Sequence, residues 1–158
     1  MFALAIGFAH AGGKADDNAV ISFHIETEAT DNPKMIFPVT TAAGETRYFR
    51  RMPEVSTRDI VAMGPFPAED GSGYGVVFQL KGNAARRYQG ITNANQGRLL
   101  AARVNGNVIS AVMIDKEIDD GLIVIWSGIT LDQITEFDKV VPRIGEDKKG
   151  KKGKKDKE

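Results

Sequence analysis

The stretch "LLAARVNGNVISAVMI", residues 99–114, constrains the fold more than any other part of the chain. Asn105-Gly106 sits between two runs that are almost wholly apolar. Both central residues of a type I′ turn need positive φ, which Asn and Gly accept at least cost, so the pair reads as the tip of a tight β-hairpin. Outside the turn, Arg103 is the one charged residue of the arms. A hairpin this poor in polar residues needs cover, and the expectation is that both arms run through the centre of a sheet with one face under helices.

The flanking segments supply such partners. Residues 74–80, "YGVVFQL", put Tyr74, Val76, Phe78 and Leu80 on one face of a strand. Residues 82–97, "GNAARRYQGITNANQG", read as a helix with Asn83 as N-cap, an inward stripe of Ala84, Ala85, Tyr88 and Ile91, and Gly97 as its end. Arg86 and Arg87 then face solvent. "GLIVIWSG" (121–128) is a further apolar strand. A last helix starts at Thr130 as N-cap, carries Leu131, Ile134, Phe137 and Val141 at helical spacing, and stops at Pro142.

Upstream, "AVISFHIETE" (19–28) alternates with period two, which places His24 on the polar face of a half-buried strand, as a surface histidine. "KMIFPVT" reads as an edge strand, because Pro38 cannot donate to a ladder. "ETRYFRRM" (45–52) is another strand, and Ser56 with Asp59 forms a capping-box-like turn. "MGPFPAEDGSGYG" reads as a Gly- and Pro-rich loop. The order is an α+β plan: an antiparallel or mixed β-sheet with two helices packed on one face, preceded by extra N-terminal strands. At 158 residues the chain is about one domain, assigned to residues 19–145.

The two ends differ from this body. The N-terminal "MFALAIGFAHAGG" has an apolar run from Phe2 to Ala9 and an Ala9-His10-Ala11 cleavage-like triplet, without a basic start. Residues 1–18 therefore read as the remnant of a secretory signal peptide and a linker, with a frayed cytoplasmic N-terminus as the alternative. The tail 146–158 holds seven of the 21 Lys+Arg and four of the 21 Asp+Glu, leaving a mildly acidic body. It reads as a disordered Lys-rich tail. That charge distribution argues against a nucleic-acid footprint, and no run approaches the ~18 apolar residues of a transmembrane span.

Chemistry is sparse. The chain has no cysteine and two histidines, so thiol nucleophiles and thiolate metal sites are excluded. "GSGYGVV" precedes a strand rather than a helix and lacks Lys-Ser/Thr, which makes it a turn and not a phosphate loop. "DKEIDDG" (115–121) has Asp120 and Trp126 where a calcium loop needs Gly and a carboxylate, so it reads as a solvated acidic turn. No catalytic constellation, metal site or cofactor site is expected.

From Tyr74 to Val141 the segments resemble, in order, the head of the first periplasmic domain of SecD, an accessory subunit of the Sec protein-export machinery. The resemblance rests on "YGVVFQL"; on Ala85, Arg86 and Tyr88; on Thr92, Asn95 and Gly97 as a "T…N.G" element; on the hairpin; and on "IDDGLIVIWSGITLDQI". Val112 stands where the family has proline, and Trp126-Ser127 replace a Thr-Gly type pair. The family's membrane helices and their proton-coupling residues have no counterpart here. The resemblance implies a non-catalytic exported protein, periplasmic or in the cell envelope, without proton-motor activity, binding polypeptide or a translocase partner. Tyr88, Asn95, Arg98, Asn105 and Gly106 are the candidate contact residues. The alternative is association with an anionic envelope surface or polymer through the Lys-rich tail.

Overall fold

A computed structural model describes residues 21–146, and the expected leader and most of the expected Lys-rich tail lie outside them. The chain runs through β1 (Ile21–Thr27), β2 (Ile36–Thr40), β3 (Thr46–Arg50), β4 (Val55–Ser56), a 3-10 turn (Thr57–Asp59), β5 (Ile60–Pro67) and β6 (Tyr74–Leu80). There follow α1 (Gly82–Ala94), β7 (Leu99–Val104), β8 (Asn107–Met113), β9 (Leu122–Ile129) and α2 (Leu131–Val140). The fold is α+β. Its strands form two antiparallel sheets, one ordered β2-β3-β1-β7-β8 with β4 also on β1, the other β5-β6-β9.

One core joins both sheets and both helices. Alternate residues of β1 (Ile21, Phe23, Ile25) and β7 (Leu100, Ala102, Val104) share it with Val76, Phe78 and Leu80 of β6 and Ile123, Ile125 and Ile129 of β9. Ala84 and Tyr88 enter from α1, and Ile134 and Phe137 from α2. Phe78 is the pivot: its ring meets Phe23 at 6.0 Å and Phe137 at 5.7 Å, both edge-on, the arrangement that aromatic quadrupoles favour.

The Asn-Gly hairpin forms as its turn chemistry requires, with Asn105 at φ 50° and Gly106 at φ 83°. Its placement differs from the expectation. β7 is central, but β8 is the last strand of its sheet. The arms are apolar for a different reason: β7 is buried on both faces. Its Ala101 belongs to a second, smaller core with Phe37, Phe49 and Val108, built where the β2–β3 hairpin curls over the outer face of the sheet.

That curl overturns the surface reading of His24, which is only 2% exposed. Its ring packs edge-on against Phe37 at 5.2 Å. Period-two alternation reports which residues share a face; it does not report that a neighbouring hairpin folds over the second face.

Three smaller expectations are also corrected. The Gly- and Pro-rich stretch overlaps β5, which tolerates Pro65 because it is a sheet edge. The N-cap of α1 lies two residues earlier than read, at Lys81, while the Asn83 Oδ1 accepts from the Ala84 N–H. Leu131 is exposed rather than part of the buried stripe of α2. The capping boxes at Ser56/Asp59 and Thr130/Gln133 are both formed, and Pro38 lies on the edge strand β2.

Candidate functional site

The five residues singled out from the sequence are not gathered in one place. Tyr88 is 2% exposed, and burial, with the charge of Asp120 adding, pushes its phenol up to about 12. The Asn95 amide donates to the Ile91 carbonyl and closes the end of α1. Arg98 donates to the Glu26 carbonyl and lies 3.9 Å from Glu28, tying the start of β7 to the end of β1. At the hairpin tip, the Asn105 amide donates to Glu136 of α2 at 2.8 Å. Arg103 reaches back across the turn: its Nε and Nη2 both donate to the Gly106 carbonyl, and its guanidinium lies 4.7 Å above the Phe37 ring. Arg103 thus fastens the tip and covers the smaller core.

The "T…N.G" element has a concrete structural use. Thr92 is fully buried, donates to main-chain carbonyls of α1 and accepts the Ile118 N–H at 2.9 Å. It therefore pins the acidic segment 115–120 to the helix. Gly97, at φ 85°, makes the reversal into β7.

That acidic segment is one wall of a cleft of about 710 Å³. The cleft arises from topology. β8 ends one sheet and β9 ends the other, and among the described residues no backbone ladder joins them. The two edges come together at one end, where a Cβ on Gly128 would lie 3.8 Å from the Ile109 carbonyl oxygen. Elsewhere Ser110, Val112 and Met113 on one side face Leu122 to Trp126 on the other. Phe23, Tyr88, Leu100 and Ala102, all nearly inaccessible, make the floor.

The lip is apolar and open. Trp126 is 65% exposed and Met113 62%. Trp126 is supported from beside: Phe66 lies over Gly75, where a Cβ would come within 2.2 Å of its ring, and meets Trp126 edge-on at 6.2 Å. The opposite rim, Asp115 to Asp120, carries four carboxylates against the single Lys116. Gln89 holds Glu117, and Asp120 accepts the Leu122 N–H. Among the described residues, no grouping of His, Asp and Glu has the closeness of a metal site.

The chemistry on offer is adhesion: an apolar trough, open strand edges and a negative rim. Of the five sequence candidates only Tyr88 lines it. Trp126, Met113 and Val112 were missed as site residues, since each is an ordinary apolar residue of a strand until the two sheet edges are set side by side. The one available signal was the solitary tryptophan of the chain.

Comparison with known proteins agrees with the fold. The family model of the SecDF P1 head subdomain matches residues 34–140, beginning well upstream of Tyr74. A solved structure described as that of "a membrane component SecDF that enhances protein export" aligns with TM-score 0.54 at 19% identity, over 75% of this chain and 60% of that one. SecDF "in Super-membrane-facing form" aligns with TM-score 0.52 at 18% identity, over 78% of this chain and 18% of that one. At these identities the likeness is one of fold, and this chain spans only part of either protein. No curated protein matches the sequence. None of the helices is long and apolar enough to cross a membrane among the described residues. With a family match over most of its length, the chain belongs to the SecDF P1 head subdomain family.

Proposed function

We propose that this chain is a non-catalytic head module of protein export that acts outside the membrane and binds unfolded polypeptide in the cleft between β8 and β9. The observation that carries this reading is the cleft itself, an apolar trough of about 710 Å³ whose lip exposes Trp126 and Met113. Large exposed apolar side chains grouped beside a concavity mark interaction sites more often than they mark idle surface. Residues 19–145 form the module in this reading, and the apolar N-terminal segment within residues 1–18 acts as a leader that directs export. Tyr88 is part of the binding floor. Asn95 and Arg98 hold the elements around it, and the Asn105-Gly106 tip is a further contact point on the same side of the chain as α2.

Trp126 is the only tryptophan, so its emission reports on the cleft without a label. Titration with a reduced, alkylated and hence permanently unfolded protein is expected to give a saturable blue shift, lost in Met113→Ser/Val112→Ser. An unchanged emission spectrum together with no co-migration in gel filtration overturns the reading. Recovery of the protein from cytosol rather than an envelope or periplasmic fraction overturns its placement outside the membrane.

The seven lysines of the tail 146–158 support a second, charge-based contact with anionic lipid or polymer. Co-sedimentation with anionic vesicles at low and high salt, with and without the tail, decides it: equal binding by both proteins removes the idea.

A further inference from the structure

The outer edge of β8 and the acidic rim together bear on which segments of an unfolded chain the cleft selects. The Ile114 N–H donates to the Arg98 carbonyl, and the Ile114 carbonyl accepts from Gly97. These bonds set the alternation of the β7–β8 ladder, in which Leu100 opposes Val112 and Ala102 opposes Ser110. Main-chain groups of an antiparallel strand point alternately to either side. The N–H and C=O groups of Ala111 and Met113 therefore point away from β7, toward the side on which β8 has no neighbouring strand among the described residues. They are donors and acceptors awaiting an extended chain.

The surroundings add a side-chain code. A strand laid beside Ala111–Met113 turns alternate side chains toward the trough floored by Phe23, Tyr88 and Leu100. At the Met113 end, β8 leads directly into the segment bearing Asp115, Glu117, Asp119 and Asp120. The carboxylates of Asp115 and Asp119 have no ion-pair partner among the described residues. An added strand leaving the trough at this end passes in front of them.

We infer that the cleft selects extended segments with apolar residues at alternate positions followed or preceded by lysine or arginine, pairing through backbone hydrogen bonds with Ala111 and Met113 while the basic flank faces the 115–120 carboxylates. Main-chain pairing gives sequence-tolerant affinity, and the pocket and rim give the preference. This inference rests on the cleft being the polypeptide site; it adds the conformation and the charge of what is held.

The test uses the full chain and Trp126 emission with three synthetic peptides sharing one alternating apolar core, flanked by lysines, by serines or by glutamates. The lysine-flanked peptide is expected to bind about three- to ten-fold more tightly than the serine-flanked one at low salt, with the advantage shrinking at high salt. Asp115→Asn/Asp119→Asn is expected to remove that advantage and leave the serine-flanked peptide unchanged. Methylation of alternate backbone nitrogens in the core is expected to weaken binding about ten-fold in one of the two registers and much less in the other. Equal affinity for lysine and glutamate flanks overturns the charge preference, and indifference to methylation in both registers overturns strand addition. Failure of every peptide, with the unfolded protein also failing to shift Trp126, overturns the polypeptide site itself. Failure of the peptides alone, with the unfolded protein still binding, overturns only the selectivity.

Discussion

Acidification should destabilise this domain through one buried residue, His24. It packs against Phe37 of the smaller core, where desolvation lowers its pKa from 6.5 to about 4, with the nearby Arg103 acting in the same direction and the bond to the Arg50 carbonyl opposing. The hydrogen bonds fix its form. Arg50 O can only accept, so Nδ1 carries the proton and donates at 2.7 Å; Nε2 is then free to accept from the Ser22 hydroxyl at 2.8 Å. A base whose folded pKa is depressed binds fewer protons in the native state than in the unfolded one. Its contribution to stability is complete above the unfolded pKa and is lost as pH falls from 6.5 toward about 4. A tenfold difference in proton affinity between the folded and unfolded states corresponds to about 1.4 kcal/mol, so the loss is about 2 kcal/mol by about pH 5 and about 3 kcal/mol below about pH 4. Urea unfolding across this range, wild type against His24→Asn, isolates the effect from the carboxylates. Asn keeps a donor for Arg50 O but does not titrate. The variant should start less stable at about pH 8 yet lose about 2 kcal/mol less on going to about pH 5. Equal losses in the two proteins, or a His24 ring resonance titrating near 6.5, would refute the role given to this histidine.

Further substitutions probe the other supports of the fold. Phe78→Ala removes the ring that Phe23 and Phe137 both meet and should cost about 3–5 kcal/mol in denaturant unfolding. Thr92→Val keeps the shape but strands the Ile118 N–H; a cost of about 1–3 kcal/mol is expected, with accelerated amide exchange at Ile118. Gly106→Ala places a Cβ at φ 83° and should cost about 1 kcal/mol, read as a lowered Tm, without altering Trp126 emission.

What could be read from the sequence and what could not divide along the range of the interactions. The Asn105-Gly106 turn, the Thr130/Gln133 cap and the alternation of β6 are local, so the residues that specify them are neighbours in the chain. β5 escaped because prolines normally signal a break, and only the knowledge that it is an edge makes Pro65 acceptable. His24 escaped because its burial depends on Phe37 and Arg50 arriving from another hairpin. The cleft escaped most completely. Its walls are the terminal strands of two different sheets, and no spacing along the chain records that Ile109 and Gly128 come within reach of each other.

The pairing of β1 has a kinetic consequence. This strand takes β3 and β4 on one edge, from nearby sequence, but its other edge waits for β7, with Ile25 opposite Leu100 and Ile21 opposite Val104. As the chain emerges from a ribosome N-terminus first, β1 stays half-paired until the Asn-Gly hairpin has followed it. Closing so long a loop places folding toward the slow, millisecond-to-second end of small domains. Until then Ile21, Phe23 and Ile25 lack Leu100, Ala102 and Val104, with which they share the main core, and that side of the core stays open.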